Sequence, residues 1–348
     1  MSLASNTTNT ANTANTANTS SASKKRIAIA CQGGGSHTAF TAGVLQGLLG
    51  DLPADAEVVA LSGTSGGAIC AALAWEGLVR GDPGLAIRKL REFWDATAAK
   101  EPLDKVLNQI LIGIQSLRDL MVLPEVSPYQ FPPWAGDQFR ESLNSFFNFE
   151  ELRQLARKPG APTLQIGAVE VLSGRFELFT GEELCVECLM ASAAIPELFR
   201  AVTVPGRGVF WDGLFSQNPP IHDLAYHDID ELWLIQINPS TIARIPTDNH
   251  EILDRRNSLA GNLSMEQELG FIETFNRVIA AGKMQDPKLR QIHISRIPLD
   301  RSLHSRSKLD RRPELLDDLR QYGQVKSRRF LKDRDSRKGD FSRMAASP

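Results

Sequence analysis

The first apolar run of the chain, Ile27-Ala28-Ile29-Ala30-Cys31, has the length of a buried strand, with Lys24-Lys25-Arg26 before it and Gly33-Gly34-Gly35 after it. From Ser36 to Leu49 the apolar residues Phe40, Val44, Leu45 and Leu48 recur at helical spacing, so the unit reads strand, glycine loop, helix. Glu57 to Ser62 then reads as a second strand and Gly66 to Leu78 as an Ala-rich helix. Such alternation predicts an α/β fold whose mostly parallel sheet is covered by helices. Further on, Leu103, Val106, Leu107, Ile110, Ile114, Leu117 and Met121 share one helical face, widened by Leu111, Ile112, Val122 and Leu123. Pro124, Pro128, Pro132 and Pro133 end that pattern. The remaining pattern predicts a helix near Gly136–Phe147 and strands at Leu164–Val169, Arg175–Phe179, Val209–Trp211 and Leu232–Ile237. Helices are predicted near Leu263–Ile279 and Glu314–Leu331.

A prior of about 150 residues per domain suggests two domains for 348 residues, yet no linker divides the middle. Residues 24–332 therefore read as one domain, with 103–150 as a helical cap or insertion. Residues 1–23 repeat Asn-Thr-Ala from Asn9 to Ala17 and hold too little apolar area to offset ordering entropy, which predicts a disordered leader. Hydrophobic residues at 42%, charged residues at 23% and a net charge of −2 exclude collagen-like and wholly disordered classes. The small total conceals an asymmetry: residues 301–348 hold 14 Lys/Arg against 7 Asp/Glu, leaving 25 against 34 upstream. Residues 333–348 are read as a basic flexible tail.

Chemistry concentrates at three places. Gly63-Thr64-Ser65-Gly66-Gly67 matches G-x-S-x-G between an apolar strand and a helix. At such an elbow the nucleophile sits in a strained turn, and Gly63 and Gly67 remove side chains that would collide beside it. Gln32-Gly33-Gly34-Gly35-Ser36-His37 offers backbone N–H groups of Gly33, Gly34 and Gly35 for a tetrahedral oxyanion. The rival phosphate-loop pattern lacks its Lys, and three consecutive glycines do not give a dinucleotide fingerprint. Third, Phe210-Trp211-Asp212-Gly213 ends an apolar strand in an acid and a glycine. The carboxyl ends of parallel strands share one edge, which would bring Asp212 to Ser65. A Ser–His–acid triad is the variant reading, with His222, His227, His250 and His293 as candidate bases.

This conjunction resembles the patatin-like phospholipase family. The similarity extends to Ala191-Ser192-Ala193-Ala194-Ile195-Pro196 with Phe199, to Asn218-Pro219-Pro220, and to Ser127–Phe131, Gln236–Pro239 and Ser307–Leu309, spanning about Arg26 to Leu331. It implies a three-layer α/β/α sandwich and a Ser–Asp dyad in which Ser65 is the nucleophile, Asp212 the acid partner, Gly213 its flanking glycine and Gly33–Gly35 the oxyanion loop. The implied activity is cleavage of carboxylic esters of phospholipids or other acyl lipids through an acyl-enzyme. Two departures are His37, where the family has Arg or Lys, and Leu214, where it has a small residue. They keep open a second reading, a catalytically silent lipid-binding or regulatory protein on the same scaffold.

No cofactor is implied. Cys185 and Cys188 form a single C-x-x-C without a second pair, which argues against a metal, and Cys31 and Cys70 read as buried thiols. The expected partner is a lipid or membrane-surface substrate, with anionic membrane contact through the basic C-terminus. Nucleic acid is not expected, since no aromatic residues interleave with the basic ones. The start, Met1-Ser2-Leu3-Ala4-Ser5, lacks the basic and apolar stretches of a secretory signal, and no run of 18 apolar residues occurs. Cytoplasmic residence, peripheral at a membrane, is the expectation.

Overall fold

The computed structural model describes residues 23–345 except 103, 107, 110–126, 131, 197, 285–289 and 302. The leader, apart from its last residue, and most of the amphipathic stretch expected over 103–123 thus lie outside the described residues.

Eight strands form one sheet in the order β5-β6-β3-β2-β1-β7-β8, with β4 pairing on β3. They are β1 (Lys25–Cys31), β2 (Ala56–Gly63), β3 (Thr163–Glu170), β4 (Phe176–Thr180), β5 (Val202–Val204), β6 (Gly208–Asp212), β7 (Glu231–Gln236) and β8 (His293–Pro298). The pairs β1–β2, β1–β7, β2–β3 and β7–β8 are parallel, as the strand–helix alternation predicts. β4, β5 and β6 form the antiparallel margin.

Alternation along the central strands builds the layers. Ile27, Ile29 and Cys31 face one core with Trp233 and Ile235, whereas Ala28 and Ala30 face a second with Leu232 and Leu234. The first core is closed by α1 (Ala39–Gly50), α2 (Gly66–Val79), α3 (Pro83–Thr97) and α8 (Pro313–Ala345). The second is closed by α7 (Asn249–Ala280), through Met265, Leu269 and Ile272. Helices thus cover both faces of a mostly parallel sheet, the three-layer α/β/α arrangement expected.

α4 (Trp134–Phe146) and α5 (Phe149–Ala156) begin within the stretch read as a cap, yet Leu143, Phe147 and Leu152 are buried in the first core. α6 (Val186–Ser192) lies beside them, with Leu189 and Ala191 in the same core. α3, which the sequence expectations do not include, is capped by Asp82, which accepts the Leu85 N–H, and is opened by Pro83. α8 continues through Ala345, well past the pattern that ends near Leu331. Within the stretch read as a flexible tail, Arg334 is buried, its Nη2 2.8 Å from Glu231 Oε1 on β7. No helix among the described residues is long and apolar enough to cross a membrane.

Candidate active site

Ser65 stands between β2 and α2 at φ 58° and ψ −131°, a left-handed conformation for a residue with a Cβ. Such a backbone costs on the order of 1–3 kcal/mol and persists only where its surroundings enforce it. Here they do. The Ser65 N–H donates to Ser192 Oγ at 3.0 Å, and that hydroxyl donates to the Gly167 carbonyl at 2.7 Å. A methyl group on Gly63 would lie 2.6 Å from the carbonyl of Gly67, so the two motif glycines pack on each other. Ser65 is 7% exposed and sits at the N-terminus of α2, where the helix field favours negative charge.

The glycine loop approaches the same serine. A methyl on Gly33 would lie 3.0 Å from Ser65 Cβ and 2.7 Å from the Thr64 carbonyl. Gly33 spends its own N–H on Asn218 Oδ1 at 2.7 Å. The Gly34 and Gly35 amides, by contrast, donate to no protein acceptor among the described residues. Gly35 takes φ +54°, which a glycine adopts without strain, and its α-carbon faces the Lys308 backbone. Of the three loop glycines, two therefore present amides that remain available, and Gly33 supplies close approach.

Asp212 arrives by a route that the sequence did not suggest. Its strand, β6, is antiparallel to β3, not one more parallel strand. β4 occupies one flank of β3 at Gln165–Val169, so β2, opposite Thr163–Ile166, and β6, opposite Ala168–Glu170, share the other flank. The two strands meet end to end: Gly63 pairs with Ile166 and Asp212 with Ala168, about 7 Å along β3. A methyl on Gly213 would lie 2.9 Å from Thr64 Cγ2, so the residues adjoining Ser65 and Asp212 are in contact. Asp212 is 1% exposed, and its Oδ1 accepts the Leu214 N–H at 2.7 Å.

A polar scaffold holds these pieces. Gln32, fully buried, accepts the Ile237 and Asn238 N–H groups at 2.8 Å and donates to Asn262 Oδ1 at 2.8 Å. Glu268 accepts the Ile221 and His222 N–H groups at 2.6 and 2.7 Å and fixes the Asn218-Pro219-Pro220 turn, whose first bond is cis. Burial raises the Glu268 pKa above its usual value despite these bonds. His37 is buried with Nε2 2.7 Å from Ser307 Oγ, and burial, then the Lys308 charge, lowers its pKa to about 3. The cation beside the loop is thus Lys308, half-buried and donating to Asn238 Oδ1 at 2.7 Å. Burial lowers its pKa to about 8, opposed by Asp254 and Asp212.

Three candidate bases of the triad reading have other neighbours. His222 bonds Asp223 Oδ1 at 2.9 Å and His227 approaches Gln165 Nε2 at 3.3 Å. His293 is exposed at the start of β8, opposite Glu231 and away from the carboxyl edge. The side chain of His250 lies outside the described residues. Ser192 and Asn218 were visible only as members of motifs. The roles of Gln32, Glu268 and Lys308 carry no local signal, because each acts on residues far away in the chain.

Among known proteins, no curated sequence matches. Among solved structures, the chain is similar to VipD from Legionella pneumophila at 13% identity and TM-score 0.44, covering 90% of this chain and 67% of that one. It is also similar to the type III effector ExoU at 17% identity and TM-score 0.36, covering 90% of this chain and 54% of that one. Full-length ExoU with SpcU from Pseudomonas aeruginosa gives 15% identity and TM-score 0.26, with coverage of 87% and 70%. The patatin-like phospholipase profile matches residues 29–225, more than half of the sequence, and the chain belongs to the patatin-like phospholipase family.

Proposed function

We propose that the protein is a serine lipid acyl hydrolase that works through a Ser65–Asp212 dyad and an acyl-enzyme. The observation that carries this reading is the end-to-end meeting of β2 and β6 on β3, beside two glycine amides without protein acceptors among the described residues. Asp212 takes the Ser65 proton as the hydroxyl attacks an ester carbonyl, and the Gly34 and Gly35 amides stabilise the oxyanion. The protonated acid then gives its proton to the leaving alkoxide, and Asp212 activates a water that releases the acyl group.

Residues 24–332 act on this reading as one catalytic domain, with the 103–123 stretch serving the acyl chain. Exposed apolar side chains support contact with a lipid surface: Phe215, three residues after Asp212, is 54% exposed, and Leu259 and Leu263 on α7 are 53% and 61% exposed. The test is hydrolysis of a short p-nitrophenyl ester by Ser65→Ala and Asp212→Asn. Both are expected to lose turnover by at least about a hundredfold while keeping the thermal transition of the parent. Retained turnover in purified Asp212→Asn removes the dyad.

A further inference from the structure

Cys185 and Cys188 take no part in the site above. Cys185 is half-buried just before α6 and Cys188 is buried in its first turn, with the two Sγ atoms 2.9 Å apart. A disulfide requires 2.03–2.05 Å, a closure of about 0.9 Å. Among the described residues no further His, Cys, Asp or Glu completes a metal-holding group with them.

The thiols differ in character. The hydrogen bond from Cys188 holds the Cys185 pKa below the usual thiol value, while that same contact, followed by burial, pushes Cys188 up. An accessible sulfur with more thiolate character beside a buried one suits an attacking and a resolving thiol. Their helix also reaches the elbow. Cys188 and Ser192 are four residues apart and so stacked on one face of α6, and Ser192 Oγ accepts the Ser65 N–H.

We propose that Cys185 and Cys188 form a reversible dithiol–disulfide site, oxidised by a low-molecular-weight disulfide, and that closing it changes how Ser192 holds the Ser65 backbone. The Cys185 thiolate attacks one sulfur of oxidised glutathione, forms a mixed disulfide and releases one glutathione thiolate, which takes up the Cys185 proton. Cys188 then loses its proton, attacks Cys185 Sγ and releases the second glutathione as a thiol. Two protein thiols and one small disulfide become one protein disulfide and two small thiols, so the electrons and protons balance.

The full-length protein is equilibrated with glutathione mixtures of graded potential, alkylated and peptide-mapped by mass spectrometry. Hydrogen exchange is followed on the peptide containing Ser65. Neither readout depends on hydrolase activity. The expected result is a 185–188 bridge reversed by dithiothreitol, and accumulation of a glutathione adduct on Cys185 in Cys188→Ser. The bridged form exchanges the Ser65 amide at least about threefold faster than the reduced form, with no such difference in Cys188→Ser. A glutathione adduct persisting in the parent without a bridge, or two thiols free across the whole range, overturns the site. A complete bridge with unchanged Ser65 exchange overturns the coupling.

Discussion

At Ser65 the backbone bears a left-handed strain that Ser192 and two packed glycines hold in place, and Gly213, next to Asp212, contacts Thr64, next to Ser65. These residues were legible because each lies in a short motif of fixed spacing. What holds them was not: Gln32 reaches residues 237, 238 and 262, and such pairings leave no periodic trace in a sequence. His37 yields a test at this scale. Its folded pKa of about 3 lies below the free value of 6.5, so as pH falls the unfolded chain takes up the proton first. The stability tied to neutral His37 is whole above pH 6.5 and is lost as pH falls towards 3, by on the order of 5 kcal/mol at the limit. His37→Asn keeps a polar partner for Ser307 and removes the titration. Urea midpoints measured from pH 7 to 4 are expected to fall less steeply in the variant than in the parent, and equal slopes remove His37 from the acid response.

At the scale of elements, the strand–glycine–helix alternation near the start predicts β1, α1, β2 and α2 in place. That local pattern also predicts β6, but not its direction. Strand polarity depends on the connection that precedes it, and β5 and β6 form a hairpin that turns back towards the elbow. β5, only three residues long, leaves too little alternation to read. α3 was readable from its cap and from Ala86, Leu90, Phe93 and Trp94 at spacings of three and four, all of them buried. The exposed residues next to the site bear on substrate presentation. If Phe215 and Leu263 meet the lipid surface, replacing both with Ser is expected to lower hydrolysis of vesicle-borne phospholipid about tenfold or more while leaving a soluble short-chain ester within about twofold. An equal loss on both substrates places these residues in the site itself, away from the lipid interface.

For the whole molecule, the acidic body and basic end suggested by charge counting are joined more firmly than composition implies. α8 runs along the sheet, and Arg334 binds Glu231 beneath the Trp233 ring, which it faces at 5.6 Å. A buried cation inside a charged, apolar-poor stretch has no sequence signature, since its partner lies 103 positions away. Removing one member of a buried ion pair costs about 3–5 kcal/mol, because the remaining carboxylate, here Glu231, loses its guanidinium counter-ion while it keeps the Trp233 indole N–H as a donor. Arg334→Ala is therefore expected to lower the unfolding free energy by roughly that amount, whereas truncation after Lys338 leaves it nearly unchanged. Chemical denaturation of the two proteins checks this, and an equal loss in both removes the special role of Arg334. The central claim, that Ser65 is the acylated nucleophile, is tested most directly by quenching turnover of a long-chain p-nitrophenyl ester with acid and mapping the protein by mass spectrometry. The account predicts an acyl adduct on the Ser65 peptide during turnover and none in Ser65→Ala. Turnover with no adduct on Ser65, or an adduct carried by another residue, would contradict it.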